Sequence, residues 1–159
     1  MGLDLRPAVD PLTGFGNRVA LTTRLEDAVD PASDPSVLAV FGLDGLDEFE
    51  KTYGVASADN VIARLAEEFE RMVTPEGVCF TPRRREFCAV FGLPLTSVWP
   101  ILTATAIALR REGAMTLIRA SFGIAVLPEQ ADDAVGALIV ADRNLNQARR
   151  AQRKVRSSI

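Results

Sequence analysis

GVCFTPRRREFCAVFG, residues 77–92, reads as two short apolar strands joined by a turn that carries three consecutive arginines. GVCFT (77–81) and EFCAVFG (86–92) hold the β-branched and aromatic residues that suit a half-buried pleated surface, and Pro-Arg-Arg-Arg supplies the polar break between them. A hairpin closing on Arg83-Arg84 makes Cys79 and Cys88 cross-strand neighbours. Two reduced, packed thiols are the expectation in a cytosolic protein, with a disulfide as the alternative. Three cations on one turn must face something, and the flanking chain shows what.

Upstream, SVLAVFGL (36–43) is a nearly continuous apolar run, the pattern of a strand covered on both faces. A short acidic helix is expected at 44–52. SADNVIARLAEEFERMV (57–73) follows with apolar residues at 61, 62, 65, 66, 69, 72 and 73, an amphipathic helix. A first helix is expected from Asn17 to Val29, and a loop from Pro31 to Pro35. Downstream, a helix is expected from Trp99 to Glu112 with Pro100 in its first turn. MTLIRASFGIAV (115–126) is the longest strand candidate. The last helix, about 133–154, takes its cap from Asp132 or Asp133 and has a stripe of Ala134, Leu138, Ala141, Leu145 and Ala148. The order α-β-α-α-β-β-α-β-α predicts an α/β (α+β) fold, with an antiparallel hairpin in a central sheet and helices packed around it.

The 159 residues fit one domain, 1–159, with 48% hydrophobic residues for its core. No apolar run approaches the ~20 residues of a membrane span, and no secretory or myristoylation signal opens the chain, so a cytoplasmic location is expected. There is no histidine, which excludes imidazole bases, His metal ligands and Ser-His or Cys-His catalysis. The net charge of −3 conceals an asymmetry: 6 Lys/Arg against 15 Asp/Glu in residues 1–80, and 12 against 6 in 81–159. The whole is not basic enough for nucleic-acid binding, but its second half can hold an anion.

Four ordered motifs then carry a resemblance. DPLTGFGNR (10–18) is similar to D-x-L-T-G-L-x-N-R. FGLDGLDEFEKTYGVASAD (41–59) is similar to D-I-D-x-F-K-x-x-N-D-x-Y-G-H-x-x-G-D. SFGIA (121–125) matches S-x-G-I-A, and ADRNLNQARRAQR (141–153) resembles A-D-x-A-L-Y-x-A-K-x-x-G-R. Together they resemble the GGDEF domains, whose active members are diguanylate cyclases, over Asp10 to Lys154. The resemblance implies a ferredoxin-like palm, as in nucleotidyl cyclases, with the arginine turn facing the active site.

Aligned on Glu86-Phe87, the signature Gly-Gly-Asp/Glu-Glu-Phe becomes Arg83-Arg84-Arg85-Glu86-Phe87. The third position supplies a magnesium-holding carboxylate in active members; a guanidinium has no lone pair to offer. The second metal-ligand position falls on Gly42, while Asp44 remains two residues on, where period-2 geometry can return it to the same face. Of the guanine-reading pair, Asp59 matches and the asparagine has become Glu50, which only accepts hydrogen bonds. The phosphate-binding Lys and Arg map onto Arg149 and Arg153, and the Lys of the F-K pair onto Asp47. The inhibitory R-x-x-D motif is replaced by Thr74-Pro75-Glu76-Gly77.

Two-metal phosphoryl transfer needs oxygen ligands to seat its ions. The expectation is therefore an inactive cyclase homologue with no metal, no cofactor and no inhibitory site. It would serve as a protein-interaction module in bacterial cyclic di-GMP signalling, alone, paired face to face with itself, or paired with an active GGDEF domain. The alternative is a nucleotide or cyclic-dinucleotide binder in which Arg85, Arg149 and Arg153 replace magnesium; a third reading is a weak nucleotidase.

Each residue has a simpler reading beside this one. Arg83–Arg85 also fit a solvated turn or a docking surface, and the C-terminal cations fit the negative end of a helix dipole. Asp59 suits the start of its helix, Glu86 an ion pair with Arg85, and Tyr53 and Phe87 the core or its rim.

Overall fold

Alternation along the central strand decides how the layers form. The computed structural model describes residues 8–113 and 116–157. β1 (Ser36–Asp44) is buried at every position but its last. Its odd-numbered residues Val37, Ala39 and Phe41 enter one core cluster, and Leu38 and Val40 enter another on the opposite face. A strand with no polar face must sit mid-sheet, and β1 does. It lies between β3 (Glu86–Phe91) and β5 (Leu117–Leu127), with β2 (Gly77–Phe80) beyond β3 and β4 (Arg111–Glu112) beyond β5. Every pairing in this five-stranded sheet is antiparallel.

Among the described residues five helices cover it: α1 (Arg18–Ala28), α2 (Leu46–Tyr53), α3 (Val55–Val73), α4 (Leu95–Ala108) and α5 (Ala134–Ser157). α3 and α4 bury Ile62, Leu65, Phe69, Val98 and Leu102 in the first cluster; α1 and α5 bury Leu21, Leu25, Ala137, Ala141 and Leu145 in the second. Phe69 is the hub of the first, with ring centroids 5.2 Å from Phe41, 5.1 Å from Phe87 and 6.1 Å from Phe15.

The opening motif is a clamp. Asp10 accepts from both the backbone N–H and the hydroxyl of Thr13, at 2.9 and 2.8 Å. Gly14 takes the left-handed φ of 78° that the turn requires. Asn17 then caps α1 by accepting from Val19 and Ala20. The Thr81 N–H donates to Gly16 at 2.8 Å, which ties this segment to the end of β2. Asp133 caps α5, accepting from Gly136 N–H at 2.6 Å.

Several expectations need correction. Cys79 opposes Ala89, and Cys88 opposes Phe80. The pleat therefore sends the two thiols to opposite faces and opposite core clusters, and no disulfide joins them. Burial pushes the Cys79 thiol up to about 12. The turn is also one residue later than expected: Arg83 C=O accepts from Glu86 N–H, placing Arg84-Arg85 at the centre. α4 starts at Leu95, four residues early, so Pro100 sits inside the helix, and Glu112 belongs to β4. α2 and α3 meet at Gly54, whose φ of 91° turns the chain sharply, so α3 begins two residues earlier than its apolar pattern implies. Asp44 ends β1 rather than opening α2, and α5 runs on to Ser157. The beginning of the 115–126 strand expectation, Met115, lies outside the described residues.

Candidate functional site

The C-terminal end of β1 is where the sequence candidates converge. Gly42 pairs with Glu86 on one side and Ser121 on the other, and Asp44 pairs with Arg119. The arginine turn overhangs this end, held by a Leu43 N–H donated to Arg85 C=O at 3.1 Å.

The three arginines do not point into solvent as a cluster. Arg84 Nη2 donates to Glu50 Oε1 at 2.6 Å, and its Nη1 lies 2.6 Å from Asp59 Oδ1. Arg85 Nη2 donates to Glu50 Oε2 at 2.7 Å, and its Nη1 pairs with Asp47. Glu50 therefore grips two guanidiniums at once, one per oxygen. Arg83 is the partner of Glu86, at 3.4 Å, so the expected Arg85–Glu86 pair is replaced by Arg83–Glu86. Hydrogen bonding from Arg84, together with both arginine charges, holds the Glu50 carboxyl below its ordinary value of 4.5, although burial opposes this. The same contacts with Glu50 and Asp59 raise Arg84 further. Glu86 shifts the other way, because burial raises its carboxyl despite the Arg83 charge.

A fourth arginine closes the site from beneath. Arg149, on α5, sets Nε 2.9 Å from Asp44 Oδ1, while Ser121 Oγ donates to Asp44 Oδ2 at 3.2 Å. A Cβ added at Gly42 would stand 2.7 Å from Arg149 Cζ and closer still to Nη2. The absent side chain at 42 thus makes the room that the Arg149 guanidinium fills. Gly42 and Asp44 do share a face, as their spacing implied, and both meet the same cation.

Phe87 is fully buried in the core. Tyr53 is 47% exposed and its ring lies tilted against Phe49, with centroids 4.8 Å apart. Arg153 lies with Asp44, Arg119, Arg149 and Gln152 around a cleft of about 300 Å³. Arg119 belongs to this group and was not a sequence candidate. Its signal was available: a cation in an otherwise apolar strand, two residues before the Ser121 motif. Its Nε is buried and donates to no acceptor among the described residues. A second cleft of about 450 Å³ runs between the opening motif and the turn, lined by Leu12, Thr13, Asp59, Pro82 and Arg84 among others.

The donor set does not fit a divalent cation. Where oxygen ligands would converge, a guanidinium already neutralises Asp44, two more neutralise Glu50, and Arg84 also holds Asp59. No group of three acidic or thiol side chains able to hold a metal occurs among the described residues.

One prediction follows from the depressed Glu50. A carboxyl lowered in the folded state stabilises above its unfolded value and loses that contribution as pH falls through the folded value. Glu86, raised, contributes with the opposite sign, stabilising at low pH and losing this as pH rises through its folded value. The wild-type melting temperature should therefore fall more steeply between pH 5 and 3 than that of Glu50→Gln, which retains Glu86. Identical acid limbs in thermal scans would show that the Glu50–arginine pairs do not persist in solution.

Comparison with known proteins agrees with this architecture. The model of the family "Diguanylate cyclase, GGDEF domain" matches residues 7–155. No curated protein matches the sequence. Among solved structures, the FimX GGDEF domain from Pseudomonas aeruginosa is 23% identical, with 92% of this chain and 96% of that one covered and a TM-score of 0.79. The GGDEF domain of DgcB from Caulobacter crescentus, solved in complex with c-di-GMP, is 22% identical, with 96% and 93% covered and a TM-score of 0.80. Diguanylate cyclase SiaD from Pseudomonas aeruginosa, solved in complex with its activator SiaC, is 25% identical, with 90% and 58% covered and a TM-score of 0.79. A family match spanning nearly the whole length, on a fold shared with these domains, has one meaning: the chain belongs to the GGDEF domain family.

Proposed function

We propose that this GGDEF domain does not cyclise GTP and acts, as one domain over residues 1–159, through contact with another protein in cyclic di-GMP-related signalling. The observation that carries the reading is the set of internal ion pairs at the end of β1. Arg84, Arg85 and Arg149 take up Asp47, Glu50, Asp59 and Asp44, four carboxylates around that end of the strand. A magnesium ion that used these four carboxylates would have to displace the arginines from them. Relatives give context for the partner: SiaD was solved with a protein activator, and DgcB with c-di-GMP. No described helix is long and apolar enough to cross a membrane, and we take the domain to work in the cytoplasm.

A second reading is favoured by the cleft at Arg119, Arg149 and Arg153. Three guanidiniums face one carboxylate there, and the buried Arg119 Nε lacks an acceptor. That composition suits a phosphate-bearing nucleotide held without metal.

A thermal-shift scan of GTP, ATP and cyclic di-GMP, with magnesium and with EDTA, separates the two. A ligand at ~100 times its dissociation constant adds ~2.7 kcal/mol of stability. The first reading expects no shift in any condition. A shift in EDTA that Arg119→Ala removes would transfer the assignment to the second, and a shift that needs magnesium would defeat both.

A further inference from the structure

β5 has an inner edge that is fully paired and an outer edge that is not. β1 covers it from Arg119 to Leu127, whereas β4 covers only Leu117 and Ile118. In an antiparallel ladder, alternate residues turn their N–H and C=O groups to opposite sides. Val126 shows which ones turn outward: its N–H donates to Gln130 Oε1 at 2.8 Å, and its C=O accepts from Gln130 N–H at 2.9 Å. Ile124 agrees, because its C=O accepts from Asn144 Nδ2 at 2.8 Å. The even-numbered residues therefore face away from β1, and those left between β4 and Gln130 are Ala120, Phe122 and Ile124. Of their backbone groups, only the Ile124 C=O has a hydrogen-bond partner among the described residues.

The flank of this open edge is apolar. Cross-strand partners share a face, so Phe122, opposite Phe41, lies on the α4 side of the sheet. Its half-buried ring has its centroid 5.3 Å from that of Phe41 and 5.4 Å from that of Trp99. Trp99 itself is 48% exposed, Ile124 is half-buried, and α4 carries no charged residue from Leu95 to Ala108. On the other face Gly123 lies against the backbone of α5, which holds the strand in place from behind. Exposed edges are ordinarily guarded by a lysine, a proline or a bulge. Ala-Ser-Phe-Gly-Ile (120–124) has none of these. Charge returns at the β4 end, where Arg110 and Arg111 are exposed. Arg110 lies 3.5 Å from Glu112, and Arg111 donates to the carbonyls of Ala108 and Arg110 and pairs with no acid among the described residues.

A row of outward backbone groups is matched by another extended backbone, and this flank by apolar side chains. We propose that the outer edge of β5 takes up an extended segment of a partner protein as an added strand, antiparallel like every other pair in the sheet. Run in that direction, its apolar residues fall opposite Ile124 and Phe122, beside Trp99, and its C-terminal end reaches Arg110 and Arg111. The chemistry recognised is thus a stretch of alternating apolar and small polar residues that ends in acids. This deepens the reading of the domain as a protein-contact module, and rests on it for the partner being a protein. It uses none of the ion pairs at the arginine turn.

The probe is the capped peptide Thr-Val-Thr-Val-Thr-Ala-Asp-Glu, titrated to about 1 mM into the isotope-labelled full chain and followed by amide spectra and hydrogen exchange. Expected is saturable binding that slows exchange of the Ala120, Phe122 and Ile124 amides by ~10-fold or more. The same peptide N-methylated at both valines keeps its side chains and charge but loses the N–H groups that meet the edge, and should not bind. Trp99→Glu, at an exposed position, should weaken binding at least ~10-fold by placing a charge beside the edge. A melting curve verifies that this variant folds; if it does not, the methylated peptide on wild-type protein still decides. Absence of binding overturns the proposal, and so does equal binding of the two peptides, since the contact would then not be a strand. Amides already protected in the free chain overturn it too, because the edge would then be covered from within or by a second copy. None of these results bears on whether GTP is cyclised, and formation of cyclic di-GMP would leave the edge open, so the two readings fail separately.

Discussion

Gly123→Ala is expected to lower stability by about 3 kcal/mol or more, an overpacking cost at the upper end of its usual range. For a chain of this length that is a fall of about 6–12 °C in melting temperature. The reason lies in the Ser-Phe-Gly-Ile-Ala motif. β5 and α5 approach so closely that an added Cβ would stand 2.7 Å from Asn144 C and nearer still to Leu145 N and Ala141 O. Those are backbone atoms of a long helix, which cannot swing aside as a side chain can. The substitution must lift α5 from the sheet or bend β5. Either movement also withdraws Arg149 from Asp44 and Gly42, so the effect reaches the site. Gly92→Ala is the control: nothing lies within 4 Å of its added Cβ, and it should stay within ~0.5 kcal/mol of wild type. Thermal or denaturant melts of both variants decide the matter, and equal stabilities would show that the α5–β5 contact is looser than described.

Phe69→Ala should cost still more, about 4 kcal/mol, or roughly 8–16 °C. Its ring is fully buried and packs on Phe15, Phe41 and Phe87. Phe41 precedes Gly42 and Phe87 follows Glu86, so the same aromatic group that fills the core fixes the two strand segments bearing the site. The cavity left by this truncation is surrounded by large rings that have few rotamers in which to collapse inward. A loss below ~1.5 kcal/mol would mean that the core relaxes far more readily than this packing implies.

What could be read in advance follows the strength of each local signal. β1 is legible because a nearly continuous apolar run has only one place in a sheet. α3 was unmistakable because its apolar positions recur at helical spacing along a single stripe. α4 has the opposite kind of signal: LTSVWPILTATAIA is apolar nearly all round, so it carries no phase, and Pro100 suits a first turn although it lies inside the helix. β4 is two polar residues at a sheet edge and left no pattern at all. The cysteine pairing failed by one residue, which in a strand is the difference between opposite faces.

The site divides the same way. The motifs brought Gly42, Glu50, Asp59, Arg85, Arg149 and Arg153 to attention singly, and the structure gathers them at one end of β1. Their partners were not legible, because Arg84 and Glu50 lie 34 positions apart and nothing in either segment points to the other. Asp47, Glu50 and Arg84 looked like separate losses from a nucleotide site. In the fold they are acids and bases satisfying one another. Gly42 likewise looked like a missing ligand, and proves to be the gap through which Arg149 reaches Asp44.

The proposed exchange of metal-seating anions for internal arginine pairs is open to one direct assay. Purified protein is incubated with GTP and magnesium, and the mixture is followed over hours for cyclic di-GMP by chromatography. Wild type should yield none above a blank, and Gly42→Asp should yield none either, since the new carboxylate meets Arg149 and Arg85 remains on the turn. Cyclic di-GMP that accumulates in proportion to wild-type enzyme, and stops when EDTA is added, would contradict the account at its centre.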